Sequence, residues 1–257
     1  MNNSVAPLLS AANLGLHAGA AVLLDKVSVQ INAGEVLGVI GPNGAGKSSL
    51  LKILAGVCAP TTGLVQLGNT PLADCSVAHK ARSVAYLEQR PHVYWPLSVR
   101  QIVRFGRLPH AGEADVISAV AVQNALAFTG ITALQDRLFN SLSEGEKLLV
   151  NISRVLATEP RVILADEPTA ALDPYHQLLI LELLRTLAVQ RLGIVVVMHD
   201  LNLAARFCDR LVLLAGGRVI CEGTPGFVLS ASNIAEAYQV DALYDPVTNS
   251  VQTKGRL

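Results

Sequence analysis

Apolar positions along the chain fall into short blocks of two kinds. "VLLDKVSVQI" (22–31) is rich in Val, Leu and Ile and partly alternates, which predicts a strand. "VLGVI" (36–40), "LVQLG" (64–68), "RVILAD" (161–166), "GIVVVMHD" (193–200) and "RLVLLAGGRVICEG" (210–223) add further short strands. Turn-rich "NAGE" (32–35) and "PTTG" (60–63) separate the first of these. Helical spacing predicts helices in "SLLKILA" (49–55), ended by Gly56, and in "QLLILELLRTLAVQ" (177–190) and "LNLAARFC" (201–208). From about 97 to 157 the strand signals fade. "SVRQIVRFGRL" and "ADVISAVAVQNALAFTG" space their apolar residues as helices, which predicts an inserted helical lobe. Strands and helices that alternate on either side of such a lobe imply a parallel sheet covered by helices, an α/β fold. The stretch after about Pro225 is moderately polar and carries no readable role.

No apolar run reaches the roughly 18 residues of a membrane-spanning helix. The N-terminal "MNNSVAPLLSAANLGL" lacks a basic segment followed by a long apolar core, so no signal peptide is expected. The chain of 257 residues, half of them apolar, suits one large domain or a core with a smaller inserted lobe. Lys+Arg and Asp+Glu number 20 each, which removes any bulk electrostatic reason to bind nucleic acid. Aromatic residues at 4% argue against a base-stacking platform. The cysteines at 58, 75, 208 and 221 show no CxxC spacing and read as reduced thiols of a cytosolic protein.

Two segments carry chemistry. "GPNGAGKS" fits G-x-x-x-x-G-K-[ST] between a strand and a helix. Gly41, Gly44 and Gly46, with Pro42, Asn43 and Ala45 between them, let the backbone turn so that N–H groups converge on phosphate oxygens. The helix that follows offers its positive end. Lys47 supplies a point charge for β- and γ-phosphates, Ser48 a hydroxyl for Mg²⁺, and Ser49 lies in the first helical turn. "VILADEP" (162–168) then places two carboxylates at the end of an apolar strand. Asp166 is expected to hold Mg²⁺ through water, and Glu167 to act as the general base toward the attacking water.

With these segments in place, residues 10–225 resemble the ATP-binding subunit of an ABC transporter. Gln89 in "YLEQRP" sits where the family's Q-loop glutamine meets Mg²⁺ and the membrane partner. His199 in "VVVMHD" matches the switch histidine at the γ-phosphate, and "AALDP" (170–174) looks like the D-loop, with Asp173 facing a second subunit. "SLSEGEKLLVNISR" (141–154) resembles the signature loop and helix, with Ser143, Gly145 and Glu146 toward the partner's ATP. Singly, a surface glutamine or a histidine after a strand means little; here all the motifs stand in the family's order.

The resemblance implies a P-loop NTPase core with an N-terminal antiparallel β subdomain and an inserted α-helical subdomain. As one nucleotide-binding domain over 1–257, the core with its β subdomain would occupy 1–89 and 158–225, the helical subdomain 90–157 and a tail 226–257. It further implies ATP and Mg²⁺ as ligands, and a head-to-tail dimer in which two copies sandwich ATP. The partners would be a permease at the cytoplasmic face of a bacterial membrane and, indirectly, a substrate-binding protein. "YLEQRPHVYWPLSVRQIVRFGR" and "HDLNLAARFCDRLVLLAGGRVICEGTP" are similar to importers of iron–siderophore complexes, haem or cobalamin.

Two positions depart from the family pattern. The aromatic residue that usually stacks on adenine falls by spacing on Ala18, beside His17. Loss of that stack is expected to cost on the order of 1 kcal/mol of nucleotide affinity. In the signature loop, Glu144 stands where the family has glycine. A carboxylate about 7 Å from the partner's γ-phosphate would repel it by roughly 2 kcal/mol per unit charge at an effective dielectric of 20. Pointing to solvent, it would merely sit in a first helical turn, where an acid is favourable. "SEGE" is also a capping box, with an apolar face of Leu148, Leu149, Ile152, Val155 and Leu156 behind it. The working loop is therefore the expectation, unless the backbone at 144 needs positive φ. A transport ATPase is the leading reading; a nucleotide-gated regulatory subunit with weak hydrolysis and a soluble ABC ATPase are the alternatives.

Overall fold

The computed structural model describes residues 6–89, 95–170 and 172–256. In chain order these form β1 (Leu9–Ala18), β2 (Ala21–Ile31), β3 (Val36–Ile40), α1 (Lys47–Leu54), β4 (Thr62–Leu67), β5 (Thr70–Pro71), α2 (Val77–Ser83) and β6 (Val84–Leu87). The helical stretch follows, with α3 (Val99–Arg104), α4 (Asp115–Phe128) and α5 (Glu144–Leu156). The chain then runs through β7 (Val162–Ala165), α6 (Pro174–Val189), β8 (Gly193–Val197), α7 (Leu201–Phe207), β9 (Arg210–Ala215) and β10 (Arg218–Gly223). It ends in α8 (Pro225–Val228), α9 (Ala231–Tyr238), β11 (Val240–Asp245) and β12 (Ser250–Arg256).

A six-stranded sheet runs in the order β10-β9-β3-β8-β7-β6 and is parallel except for the β9–β10 hairpin. Its strands are buried on both faces, and alternation divides them between two cores. Leu37, Val39, Val162, Leu164, Val195 and Val197 face α1 and the antiparallel sheet β2-β1-β4-β5. Val36, Ile40, Ile163, Ala165, Ile194 and Val196 face the opposite core, which α5, α6 and α7 share. The mixture of a parallel core, an antiparallel sheet and a helical stretch is the α/β P-loop NTPase arrangement expected from the sequence.

Three local results go beyond the hydrophobic pattern. β1 reads "LSAANLGLHA", without a β-branched residue, and its strand state comes from antiparallel pairing on both sides with β2 and β4. The helix expected through Leu108 stops at Arg104 and continues as a 3₁₀ turn over Phe105–His110. A Cβ on Gly106 would lie 2.1 Å from the Arg154 carbonyl oxygen, so this turn presses directly on α5, and Pro109 prevents an α-helix from continuing. The polar tail is structured: α9 buries Ile234 and Ala237, and the β11–β12 hairpin adds Ala242 and Val251 to the same core as α5–α7. Burying a side chain such as Ile234 contributes about 2 kcal/mol.

Candidate functional site

The parallel strands end together, and the loops beyond their C-terminal ends carry the charged groups. β3 runs into the glycine-rich loop, where Gly41, Gly44 and Gly46 all take positive φ (150°, 79° and 97°). Two of them also have no room for a side chain. A Cβ would meet the Leu214 carbonyl oxygen at 2.0 Å from Gly41, and the Leu23 carbonyl oxygen at 2.5 Å from Gly46. Gly46 caps α1, whose free N–H groups therefore open toward the loop.

Lys47 is 6% exposed, and its ammonium donates to the carbonyls of Gly41 (2.8 Å) and Pro42 (2.9 Å). Burial lowers its pKa, while the charges of Glu167 and Asp166 oppose that shift. The result is a desolvated cation inside a ring of backbone dipoles, set for an anion. Next to it, the Ser48 hydroxyl donates to Asp166 Oδ1 at 3.0 Å. Asp166, 5% exposed, receives a second bond from the Tyr86 hydroxyl at 3.0 Å through Oδ2. Burial, then the Asp166 charge, raises the Tyr86 pKa, so the phenol stays a donor.

Glu167 follows in the left-handed region, φ 49°, a conformation that costs a non-glycine residue roughly 1–2 kcal/mol. Its carboxylate contacts two side chains from neighbouring strand ends. Gln89 Nε2 donates to Oε2, and His199 Nε2 meets Oε1. Gln89 follows β6, Glu167 follows β7 and His199 follows β8, so three adjacent parallel strands deliver the group. Asp200, beside His199, caps α7 by accepting from Asn202 and Leu203. Asn202 in turn accepts from the Val251 amide of the tail at 2.5 Å.

The residues fit a magnesium–triphosphate ligand. A glycine cradle that excludes side chains, a buried lysine and a helix N-terminus suit the phosphates. The Ser48 hydroxyl and the Asp166 carboxylate, 3.0 Å apart, are oxygen donors, which suits hard Mg²⁺, and Gln89, bonded to Glu167 through Nε2, has an amide oxygen to add. Among the described residues no group of three His, Cys, Asp or Glu side chains is placed for a metal.

The other sequence candidates lie apart from this group. Ser143 caps α5 in a full capping box: its hydroxyl accepts from the Glu146 amide (3.3 Å) and the Glu146 carboxylate returns to the Ser143 amide (2.8 Å). Those bonds, with the backbone bond first, hold the Glu146 carboxyl below its usual range. Glu144 occupies the first helical turn without positive φ, its side chain 77% exposed and bonded to Lys147 at 2.7 Å. Gly145 is buried against His176. Asp173 caps α6 by accepting from the His176 amide. His17 and Ala18 end β1 on an exposed hairpin, opposite Val22 and Ala21. Residues 90–94 of "YLEQRPHVYWPL" and Ala171 of "AALDP" lie outside the described residues.

Comparison with known proteins gives this geometry a family. The model of the ABC transporter family matches residues 24–170. A hemin import ATP-binding protein of Thermobifida fusca is 43% identical over 244 residues, 94% of this chain and 86% of that protein. This chain belongs to the ABC transporter family. A second hemin import ATP-binding protein, from Pseudomonas aeruginosa, is 40% identical over 92% of this chain and 94% of its own length. Among solved structures, cbiO1 from Clostridium perfringens, part of the ABC transporter complex cbiONQ, superposes with a TM-score of 0.80. It shares 31% identity and covers 90% of this chain and 94% of its own. An ATP-binding cassette in its ADP conformation gives 0.82 at 26% identity, over 91% and 99% of the two chains.

ABC transporter subunits of this kind are ATPases, and the relatives are named as import proteins, the branch expected from the sequence. Two features of the ABC site escaped sequence reasoning. Tyr86, just before Gln89 in "YLEQRP", drew no reading from the sequence, and only its position one strand away from Asp166 reveals its bond. Tyr238, in the tail, has its pKa pushed up to about 12 by burial, with the Gly41 backbone N–H nearby, and its hydroxyl makes no hydrogen bond within the described residues. No signal in the sequence links position 238 to the glycine loop.

Proposed function

We propose that this protein hydrolyses MgATP to power a bacterial haem importer, docked on the cytoplasmic face of its permease and working as a head-to-tail dimer. The observation that carries the reading is the Glu167–Gln89–His199 cluster beside Lys47, Ser48 and Asp166. A protein that only binds nucleotide has no need of a base held between a glutamine and a histidine.

In this reading the Lys47 ammonium leaves the Gly41 and Pro42 carbonyls for the β- and γ-phosphates, which the backbone N–H groups of the glycine loop also meet. Ser48 and Asp166 hold Mg²⁺, with the Gln89 amide oxygen beside them; the ion, when bound, neutralises charge that develops on the phosphate oxygens. Glu167 orients the attacking water and takes its proton. His199 keeps the Glu167 carboxylate in line and then reports on the γ-phosphate. Ser143, the Gly145 amide, Glu146 and Asp173 act on the partner's ATP. Glu144, paired with Lys147, supports a working loop rather than a regulatory brake. Adenine gains little on the exposed hairpin, so the phosphates supply most of the affinity. The division of the chain into core (1–89 and 158–225), helical subdomain (90–157) and tail (226–257) belongs to the same reading.

The haem assignment rests on the names of the relatives, since the ATPase subunit does not touch cargo. Deletion of the gene in its host, followed by growth with haem, an iron–siderophore or cobalamin as the required nutrient, tests it. Growth is expected to fail on haem alone and to return with wild type but not Glu167→Gln. Failure on siderophore or cobalamin with normal growth on haem would move the assignment.

A further inference from the structure

We propose that His176 is a positioning residue that couples the signature loop to the D-loop within one subunit, and that Gly145 is glycine because of this histidine. The inference rests on the reading that both loops act on the partner's ATP. The contact is made at the junction of two helix N-termini. α5 begins at the signature loop and α6 begins at the D-loop. His176 is the third residue of α6, and its imidazole fills the space between them.

Two sets of bonds fix the ring. Its backbone N–H donates to Asp173 Oδ1 at 3.0 Å, and Nδ1 meets Asp173 Oδ2 at 2.6 Å. The Tyr175 ring stands edge-on to it, with centroids 5.2 Å apart. On its other side the imidazole covers Gly145. A Cβ built on Gly145 would lie 2.4 Å from Cδ2, 2.7 Å from Nε2 and 2.8 Å from Cγ of His176. No side-chain carbon approaches a ring that closely, so alanine at 145 must displace the imidazole from its Asp173 anchor or shift α5 against α6.

Two explanations for a glycine at this position therefore differ in which molecule needs it. If glycine served only to let the partner's phosphate approach, its missing side chain would point outward. Here the direction of the missing Cβ runs into the subunit's own His176, and Gly145 is buried by it. Gly145 also lacks positive φ, so backbone conformation does not require glycine. The ring, anchored on Asp173, thus sets the angle at which Ser143, Gly145 and Glu146 are presented. A displacement of the D-loop carries the signature loop with it.

The test uses ATP-driven dimerisation of the full chain in a Glu167→Gln background, which in the proposed function leaves ATP unhydrolysed, followed by analytical ultracentrifugation. Four proteins are compared: the Glu167→Gln parent, and the same protein with His176→Ala, with Gly145→Ala, and with both. Binding of a fluorescent ATP analogue to each monomer is measured alongside and is expected to stay the same. His176→Ala is expected to weaken the dimer about 3-fold through the lost Asp173 anchor. Gly145→Ala is expected to weaken it about 10-fold or more, because the clash reorients the loop. The double variant is expected to return to the level of His176→Ala. A double variant as weak as Gly145→Ala, or a Gly145→Ala protein that dimerises like the parent, would overturn the inference and leave the proposed function standing. If the parent itself fails to dimerise with ATP, the proposed function falls. The inference is then decided by melting temperature, which Gly145→Ala should lower and His176→Ala should restore in the double; no restoration would overturn it.

Discussion

Replacing Tyr86 by phenylalanine removes one oxygen atom from the floor of the site and leaves the ring in place. The hydroxyl donates to Asp166 Oδ2 at 3.0 Å, and Asp166 is 5% exposed, so the lost bond is one to a buried carboxylate. Such charge-assisted bonds contribute about 1.5–3 kcal/mol, because water cannot replace the donor. The remaining support for Asp166 is the Ser48 hydroxyl at 3.0 Å and its own amide, which is spent on the Leu87 carbonyl. Tyr86→Phe should therefore lower unfolding free energy in urea by that amount, a drop in melting temperature of about 3–12 °C for a chain of this size. The cause is isolated by repeating the substitution on Asp166→Asn, where the acceptor is neutral. There the penalty should shrink by at least about 1 kcal/mol, the mark of two coupled side chains. A Tyr86→Phe protein within about 0.5 kcal/mol of wild type, or an equal penalty in both backgrounds, would refute the assignment of Tyr86 as the support of the Asp166 carboxylate.

Glu144→Gly should change ATP turnover less than about 2-fold and cost about 1 kcal/mol of stability, since it removes an exposed pair and adds a helical glycine; a 10-fold gain in turnover would show that the acid was a brake. Arg107, 5% exposed, donates to the Ala157 carbonyl at 2.8 Å and Glu159 at 2.6 Å and also pairs with Glu113. Arg107→Met should cost about 3 kcal/mol in urea unfolding, and a loss below about 1 would contradict a structural role for the cluster. At alkaline pH the two partly buried phenols Tyr86 and Tyr238 keep their protons in the folded chain, while unfolded tyrosine ionises near pH 10. The native state then binds more protons, so stability should fall as pH rises from about 10 toward 12, and Tyr238→Phe should flatten the slope; a pH-independent wild type in that range would contradict it.

What the sequence made legible is what local chemistry demands. The glycine loop and the Asp166–Glu167 pair need particular residue types at fixed spacing, and buried strands β3, β7 and β8 announce themselves by unbroken apolar runs. Gln89 and His199 became readable only through motif order, since neither residue type is diagnostic alone. Features created by tertiary contact stayed hidden. β1 is a strand through its two neighbours rather than its composition. The Gly106 turn ends α3 because α5 presses on it. The tail folds in pieces too short to show a period, and its anchors at Ile234 and Val251 become meaningful only against the core built by residues far earlier in the chain. Tyr86 and His176 belong to the same class: the partner that gives each its role is distant or, for His176 and Gly145, on another helix. Glu144 shows the opposite case, where the capping pattern was enough to place the start of the helix, and the side chain lies in solvent.

The central claim is that this chain hydrolyses ATP as a dimer with Glu167 as the base. Its most direct test is steady-state ATP hydrolysis by purified protein over a wide range of protein concentration, for wild type and Glu167→Gln. The account expects activity per molecule to climb steeply with concentration, and to fall by about 100-fold or more in Glu167→Gln. Activity per molecule that is independent of concentration, or that survives Glu167→Gln, would contradict it.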